Sequence, residues 1–217
     1  MNITLTRKLD LPQLSIPLIW LFQLTGIIGI TLGFDSWFLS KTPINLTILC
    51  ILFLVSFPVD KLKTVLVAAS FFIIGMTVEW IGVHYDFLFG AYYYGDNLGA
   101  KIDGVPWLIG VNWMVLTFVT ACLTSNFTNN KWLRIIGGSA LMVLLDYFME
   151  FSAPQFEFWI WEQDTVPLRN YIAWFGIAFL LHYIYQSSKI KGNTLFSSHV
   201  YISQLVFFIY FYVYQSI

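Results

Sequence analysis

The stretch FGAYYYGDNLGAKIDGVPWLIGVNW, residues 89–113, interrupts one apolar run and leads into another. Residues 64–83 before it and 105–124 overlapping its end have the length and composition of membrane helices. Between them stand Gly90, three consecutive tyrosines, Asp96, Asn97 and Gly99, and then Val105-Pro106-Trp107. A plain connector needs none of these residues. Reading the flanks as spanning helices decides the fold, and reading the interruption as a site decides where function lies.

Composition agrees with the flanks. The chain has 217 residues, 58% hydrophobic and 11% charged, and its mean hydropathy is +0.72. A soluble domain carries about 25% charged residues. Aromatic residues make up 19% of the chain, high even for a membrane protein. A net charge of −1 gives nucleic acid no footing. Cys50 and Cys122 lie in apolar runs and read as packing residues. The first apolar segment follows Arg7 and Lys8, lacks an A-x-A cleavage site, and reads as a retained span.

Working outward, the apolar runs predict an all-α polytopic bundle in one domain, residues 1–217. Seven spans are expected, near 14–33, 43–58, 64–83, 105–124, 132–151, 171–187 and 199–216. No ten-residue alternation suggests a barrel. Arg7, Lys8, Lys61, Lys63, Lys131, Arg134, Lys189 and Lys191 fall on one side, and Lys41, Lys101 and Arg169 on the other. That bias predicts a cytoplasmic N-terminus and an outside C-terminus. Ten of the twelve acids lie on or toward the outer side, a skew the charge rule does not explain.

A weak internal repeat over about 64–124 and 132–187 would account for it, the alternative being that the match between the two stretches is chance. Glu79 ends the third span and is followed by an aromatic loop, Val105-Pro106, Asn112 and Trp113. Glu150 ends the fifth and is followed by an aromatic loop, Val166-Pro167, Asn170 and Trp174. In both, Trp falls seven residues after Pro. Proline suits the first turn of a helix, where no N–H donor is needed.

Asp146 and Glu150 are four residues apart and share a helical face. Carboxyls at that depth are expected to face the bundle interior as a coupled pair, with Glu79 as a third at the same level. The plainer alternative is an approach to the headgroups or a pairing with Arg169. Asp96, in Tyr-Gly-Asp-Asn, reads equally as a turn former. His84, His182 and His199 are scattered, and no metal site is expected from them. Tryptophans gather toward the outer face beside Tyr92, Tyr93 and Tyr94, more than an interfacial belt on both faces would require. Acids beside aromatic faces suit protonation of an apolar alkene and shelter of the resulting cation. Proton-coupled transport would use the same acids. The last span has no Lys for a retinal Schiff base, and phosphate-loop, nucleophile-elbow and zinc-protease motifs are missing.

Residues 79–113 and 146–176 resemble the membrane-integral carotenoid 1,2-hydratases. The resemblance rests on Glu79, Phe89-Gly90, Tyr92, Tyr94, Leu98-Gly99 and Gly104-Val105-Pro106 in the first stretch. In the second it rests on Asp146, Glu150, Trp159-Ile160-Trp161, Val166-Pro167, Asn170 and Trp174. Thr165 stands where the family pattern has Gly. The resemblance implies addition of water to the terminal double bond of an acyclic carotenoid end group, such as that of lycopene or γ-carotene, with no cofactor. It implies a bacterial or archaeal cytoplasmic membrane. The implied partners are the carotenoid in the bilayer and water, with association with other pathway enzymes left open. Glu79, Asp146 and Glu150 are the expected catalytic residues. Tyr92, Tyr94, Asp96, Asn112, Trp113, Trp159, Trp161, Asn170 and Trp174 are the expected substrate-binding residues, with Asn112 and Asn170 suited to holding the water. A carotenoid end-group cyclase, which starts from the same protonation, and a membrane transporter or lipid-binding protein are the competing expectations.

Overall fold

The computed structural model describes residues 11–57, 59 and 61–216. Arg7, Lys8, Asp10 and Asp60, which enter the charge pattern above, lie outside them. Each expected span contains a helix. In chain order these begin with α1 (Leu11–Thr31), a short α2 (Asp35–Leu39), α3 (Thr42–Ser56) and α4 (Leu62–Tyr85). Then come α5 (Trp107–Phe127), α6 (Lys131–Ser152), α7 (Leu168–Ser188) and α8 (Thr194–Gln215). Helix α2 was not expected, because five residues carry no periodicity to read. Helices α1, α4, α5, α6 and α8 are long and apolar enough to cross a bilayer. Helix α3 is apolar but has 15 residues, and α7 has the length but carries Arg169, Asn170, His182 and Gln186. The chain is a polytopic helical membrane bundle.

Helix α5 is the centre: 89% of its most apolar 18 residues are buried, against 17% for residues 14–31 of α1. It packs on α3, α4, α6, α7 and α8. Small residues let the helices approach, as lipid-embedded packing favours. A Cβ on Gly75 of α4 would lie 2.7 Å from the Cβ of Trp113. Asn130 and Asn193 cap α6 and α8 by accepting backbone N–H bonds in the first turn. Pro106 and Pro167 stand one residue ahead of α5 and α7, at the cap position with extended ψ, and not in the first turn as expected.

The interrupted stretch is folded. It holds β1 (Tyr92–Tyr94), β2 (Lys101–Ile102) and β3 (Val105–Pro106). Strands β2 and β3 form a tight hairpin through Asp103-Gly104, both at positive φ, the pairing that a two-residue hairpin turn demands. Strand β1 pairs antiparallel with β4 (Trp159–Trp161) from the loop after α6, with Tyr92 opposite Trp161 and Tyr94 opposite Trp159. Strand alternation sends these four side chains to one face, while Tyr93 points away and is exposed.

Gly95 permits this pairing. Its N–H bonds to the Phe158 carbonyl at 3.0 Å, and a Cβ there would stand 2.2 Å from the Glu157 carbonyl oxygen. Backbone cannot yield as a flexible side chain can. Gly95→Ala is therefore expected to part β1 from β4 and cost about 1–3 kcal/mol. Thermal unfolding in detergent measures it, and an unchanged midpoint would contradict the close strand contact.

Candidate active site

Glu79 comes from the last turns of α4, Asp146 and Glu150 from the last turns of α6. All three are buried and line one chamber of about 30 Å³. Among the described residues, no Lys, Arg or His lies within ion-pairing distance of them. Arg169 is not a partner. Neutral hydrogen-bond donors take the place of cations.

Glu79 Oε2 accepts from the Tyr92 hydroxyl at 2.6 Å and the Tyr94 hydroxyl at 2.7 Å. Its Oε1 accepts from Trp113 Nε1 at 2.8 Å. Glu150 Oε2 accepts from Trp159 Nε1 and Trp161 Nε1, both at 2.8 Å, and its Oε1 from Asn170 Nδ2 at 3.0 Å. Each glutamate thus has two aromatic donors from the loop behind it and a third from the following helix. Burial first, then the negative charge of Glu79, holds the Tyr92 and Tyr94 phenols well above their ordinary pKa, so both remain donors.

Asp146 is different. Its Oδ2 accepts one bond from Asn170 Nδ2, at 3.2 Å, and its Oδ1 has no hydrogen-bond partner among the described residues. An indole or amide N–H can only donate, so the set around Glu150 suits an ionised carboxylate, and the set around Glu79 does so with its two phenols donating. The bare Oδ1 of Asp146 suits a hydroxyl that can give its proton away. With no cation nearby, a proton held by one of three adjacent carboxyls relieves their mutual repulsion.

The chamber gathers Glu79, Tyr92, Tyr94, Asn112, Trp113, Asp146, Glu150, Trp159, Trp161, Asn170 and Trp174. Trp113 and Trp174 stack with ring centroids 3.9 Å apart. Asp96 is not brought in. It lies exposed in the loop and pairs with Lys101 at 2.9 Å. His84 also stays outside, stacked on Trp80 and 3.4 Å from Asp103. Five of the aromatic residues, Tyr92, Tyr94, Trp113, Trp159 and Trp161, donate hydrogen bonds to carboxyls. Asn170 likewise bridges Asp146 and Glu150.

Phe89, one of the residues that carry the resemblance, completes the chamber with Ile109 and Met149, which have no chemical signal in the sequence. A second, larger cavity of about 550 Å³ lies among α1, α2, α3, α5 and α8. Ile109, Asn112, Met149 and Trp159 line both cavities and so form the wall between them.

Fold and site together define a polytopic membrane protein that keeps three carboxyls in an aromatic chamber beside an apolar cavity. Residues 42–216 match the family described as carotenoid biosynthesis protein, and the chain belongs to that family. No curated protein and no solved structure matches it significantly. All three carboxyls and every donor to them lie within the matched residues.

Proposed function

We propose that the protein is a carotenoid 1,2-hydratase, adding water to the terminal double bond of an acyclic end group. One observation carries the reading. Asp146 Oδ1, buried and without a hydrogen-bond partner among the described residues, belongs to a chamber of about 30 Å³, room for roughly one or two water molecules and no more. Most of the hydrocarbon then belongs on the apolar side of the wall, with only its terminal double bond reaching through the wall to Asp146, and the water on the carboxyl side.

Asp146 gives its proton to the less substituted carbon of the alkene, whose π electrons form the new C–H bond. The tertiary cation left at the other carbon is spread over three alkyl groups and faces the aromatic walls, an interaction that grows as charge develops. Water attacks that carbon and loses a proton to a second carboxylate, Glu79 in this assignment. Glu79 accepts three bonds, and a carboxylate has about four acceptor sites, so one remains for the water. Return of the proton to Asp146 restores the starting state. The net change is one water added, with no electron transferred.

In this reading the chain crosses the membrane seven times from a cytoplasmic N-terminus, and the chamber lies near the outer face of a bacterial or archaeal cytoplasmic membrane. Expression in cells that accumulate lycopene or γ-carotene, followed by chromatography and mass spectrometry, tests the activity. The expected result is a more polar pigment heavier by one water. An isomer of unchanged mass with a shortened chromophore would instead establish cyclisation. No new pigment from either substrate, with the protein confirmed in the membrane, would remove the enzymatic reading.

A further inference from the structure

The larger cavity has a wall of its own. Helix α1 is fastened to α8 at two levels. Trp20 Nε1 donates to His199 Nδ1 at 3.0 Å, and Thr31 Oγ1 lies 2.8 Å from the Tyr210 hydroxyl. On each helix the two anchors are eleven residues apart, about three turns, so the helices run parallel with matched faces. Between the anchors, Phe22, Gly26 and Ile30 face the cavity. Gly26 sets the separation there, since a Cβ on it would already lie 3.3 Å from the Phe207 ring. Beyond Thr31 the chain folds back. Phe38 of α2 packs so closely on Gly29 that a Cβ there would overlap its ring, and Trp37 completes the rim.

Three facts identify the occupant. The cavity is walled mainly by aliphatic and aromatic side chains and shares four residues with the carboxyl chamber. Leu21, Trp37 and Ile44 line it while remaining 55%, 59% and 55% exposed, so it opens sideways between α1 and α3, where lipid lies. Its volume of about 550 Å³ falls in the roughly 300–1,000 Å³ range of drug-sized pockets, enough for the end of a long polyene and not the whole of it.

We infer that this cavity binds the terminal isoprenoid segment of a membrane-dissolved acyclic hydrocarbon, and that α1 and α2 select which end group enters. The inference rests on the hydratase reading for what happens at the wall, and on the cavity alone for binding. The end passes in from the bilayer between α1 and α3. Its last double bond meets Asn112 and Trp159 at the wall, and the rest of the chain stays in lipid. Helices α1 and α2 precede the family-matched residues 42–216, whereas the carboxyls lie within them. Chemistry and selection therefore reside on different stretches of the chain. Phe22, Gly26, Ile30 and Trp37 are the specificity-determining residues. Their substitution changes which carotenoid binds without touching the acids.

The test separates binding from turnover. Wild type, Gly26→Leu, Ile30→Trp and the lipid-facing control Leu24→Trp are purified from lycopene-accumulating cells. Pigment per protein is read by absorbance, and the pigment's mass is determined. Wild type and Leu24→Trp are expected to carry pigment, with at least about tenfold less on Gly26→Leu and Ile30→Trp, as overfilling a cavity predicts. Equal pigment on all four, or none on wild type, would overturn the inference. Pigment that binds and is displaced by the two fillings, but is never hydrated by wild type, would refute the hydratase reading and leave the cavity assignment standing. Should the fillings destabilise the protein, Gly26→Cys decides. Its alkylation, mapped by peptide mass, is expected to be at least about fivefold slower in lycopene-containing membranes than in pigment-free ones, and equal rates would reject the site.

Discussion

Asp146→Asn is expected to leave the protein folded in the membrane and to remove its turnover. The substitution is nearly free of structural cost because of how Asp146 is held. Among the described residues, its Oδ2 takes one bond from Asn170 and its Oδ1 takes none. An asparagine can place its carbonyl oxygen toward Asn170 and its amide nitrogen at the bare position, so no donor faces a donor. What disappears is the transferable proton. General acid catalysis contributes roughly 10²–10⁴-fold, and the loss of product should be of that order. Product formation by mass spectrometry against membrane-inserted protein measures it. Activity within a few-fold of wild type would remove Asp146 from the acid role.

Glu150→Gln is expected to behave differently, although it is the same chemical change. Glu150 receives N–H donors on both oxygens, two indoles on one and the Asn170 amide on the other. A glutamine brings one acceptor and one NH₂ group, so whichever way its amide turns, hydrogens meet hydrogens. Leaving buried partners of a charged acceptor unpaired costs about 1–3 kcal/mol. The variant should therefore unfold at lower temperature and also lose turnover, as Trp159, Trp161 and Asn170 leave their places around Asp146. A Glu150→Gln protein as stable as wild type would mean that Glu150 is not an ionised acceptor in this geometry. The pair of substitutions thus separates the group that supplies the proton from the group that organises its surroundings.

The helices were legible because lipid demands long apolar runs, and every one of those runs holds a helix in the structure. Asp146, Glu150 and Glu79 were legible for the converse reason, as charged residues inside apolar sequence. Their partners were only half legible. Tyr92, Tyr94, Trp159 and Trp161 stood out as aromatic, but their N–H and O–H groups matter as much as their faces. The pairing of β1 with β4 could not be read, since each strand has three residues and the two lie far apart in sequence. The period-two spacing of Tyr92 with Tyr94 and of Trp159 with Trp161 was the available signal. Asp96 stood in a stretch rich in site residues, yet Lys101, five residues on, engages it outside the chamber. The cavity behind α1 is a tertiary feature, and the glycines of an apolar helix do not announce which neighbour they face.

The spacing of donors along the chain bears on how such a protein is made. Glu79 finds its donors 13, 15 and 34 residues later, and Glu150 finds its own 9, 11 and 20 residues later. Each acid is therefore provided for by sequence that follows closely behind it on the ribosome. Insertion of α4 with its loop and α5 can satisfy Glu79 before α6 is complete, and α6 with its loop and α7 can do the same for Glu150. Asp146 has one donor, Asn170, which it shares with Glu150, so the surroundings of both acids are completed together when α7 arrives. Biogenesis can thus carry Glu79 into the membrane with its hydrogen bonds already made, and complete those of Glu150 and Asp146 together once α7 is in place.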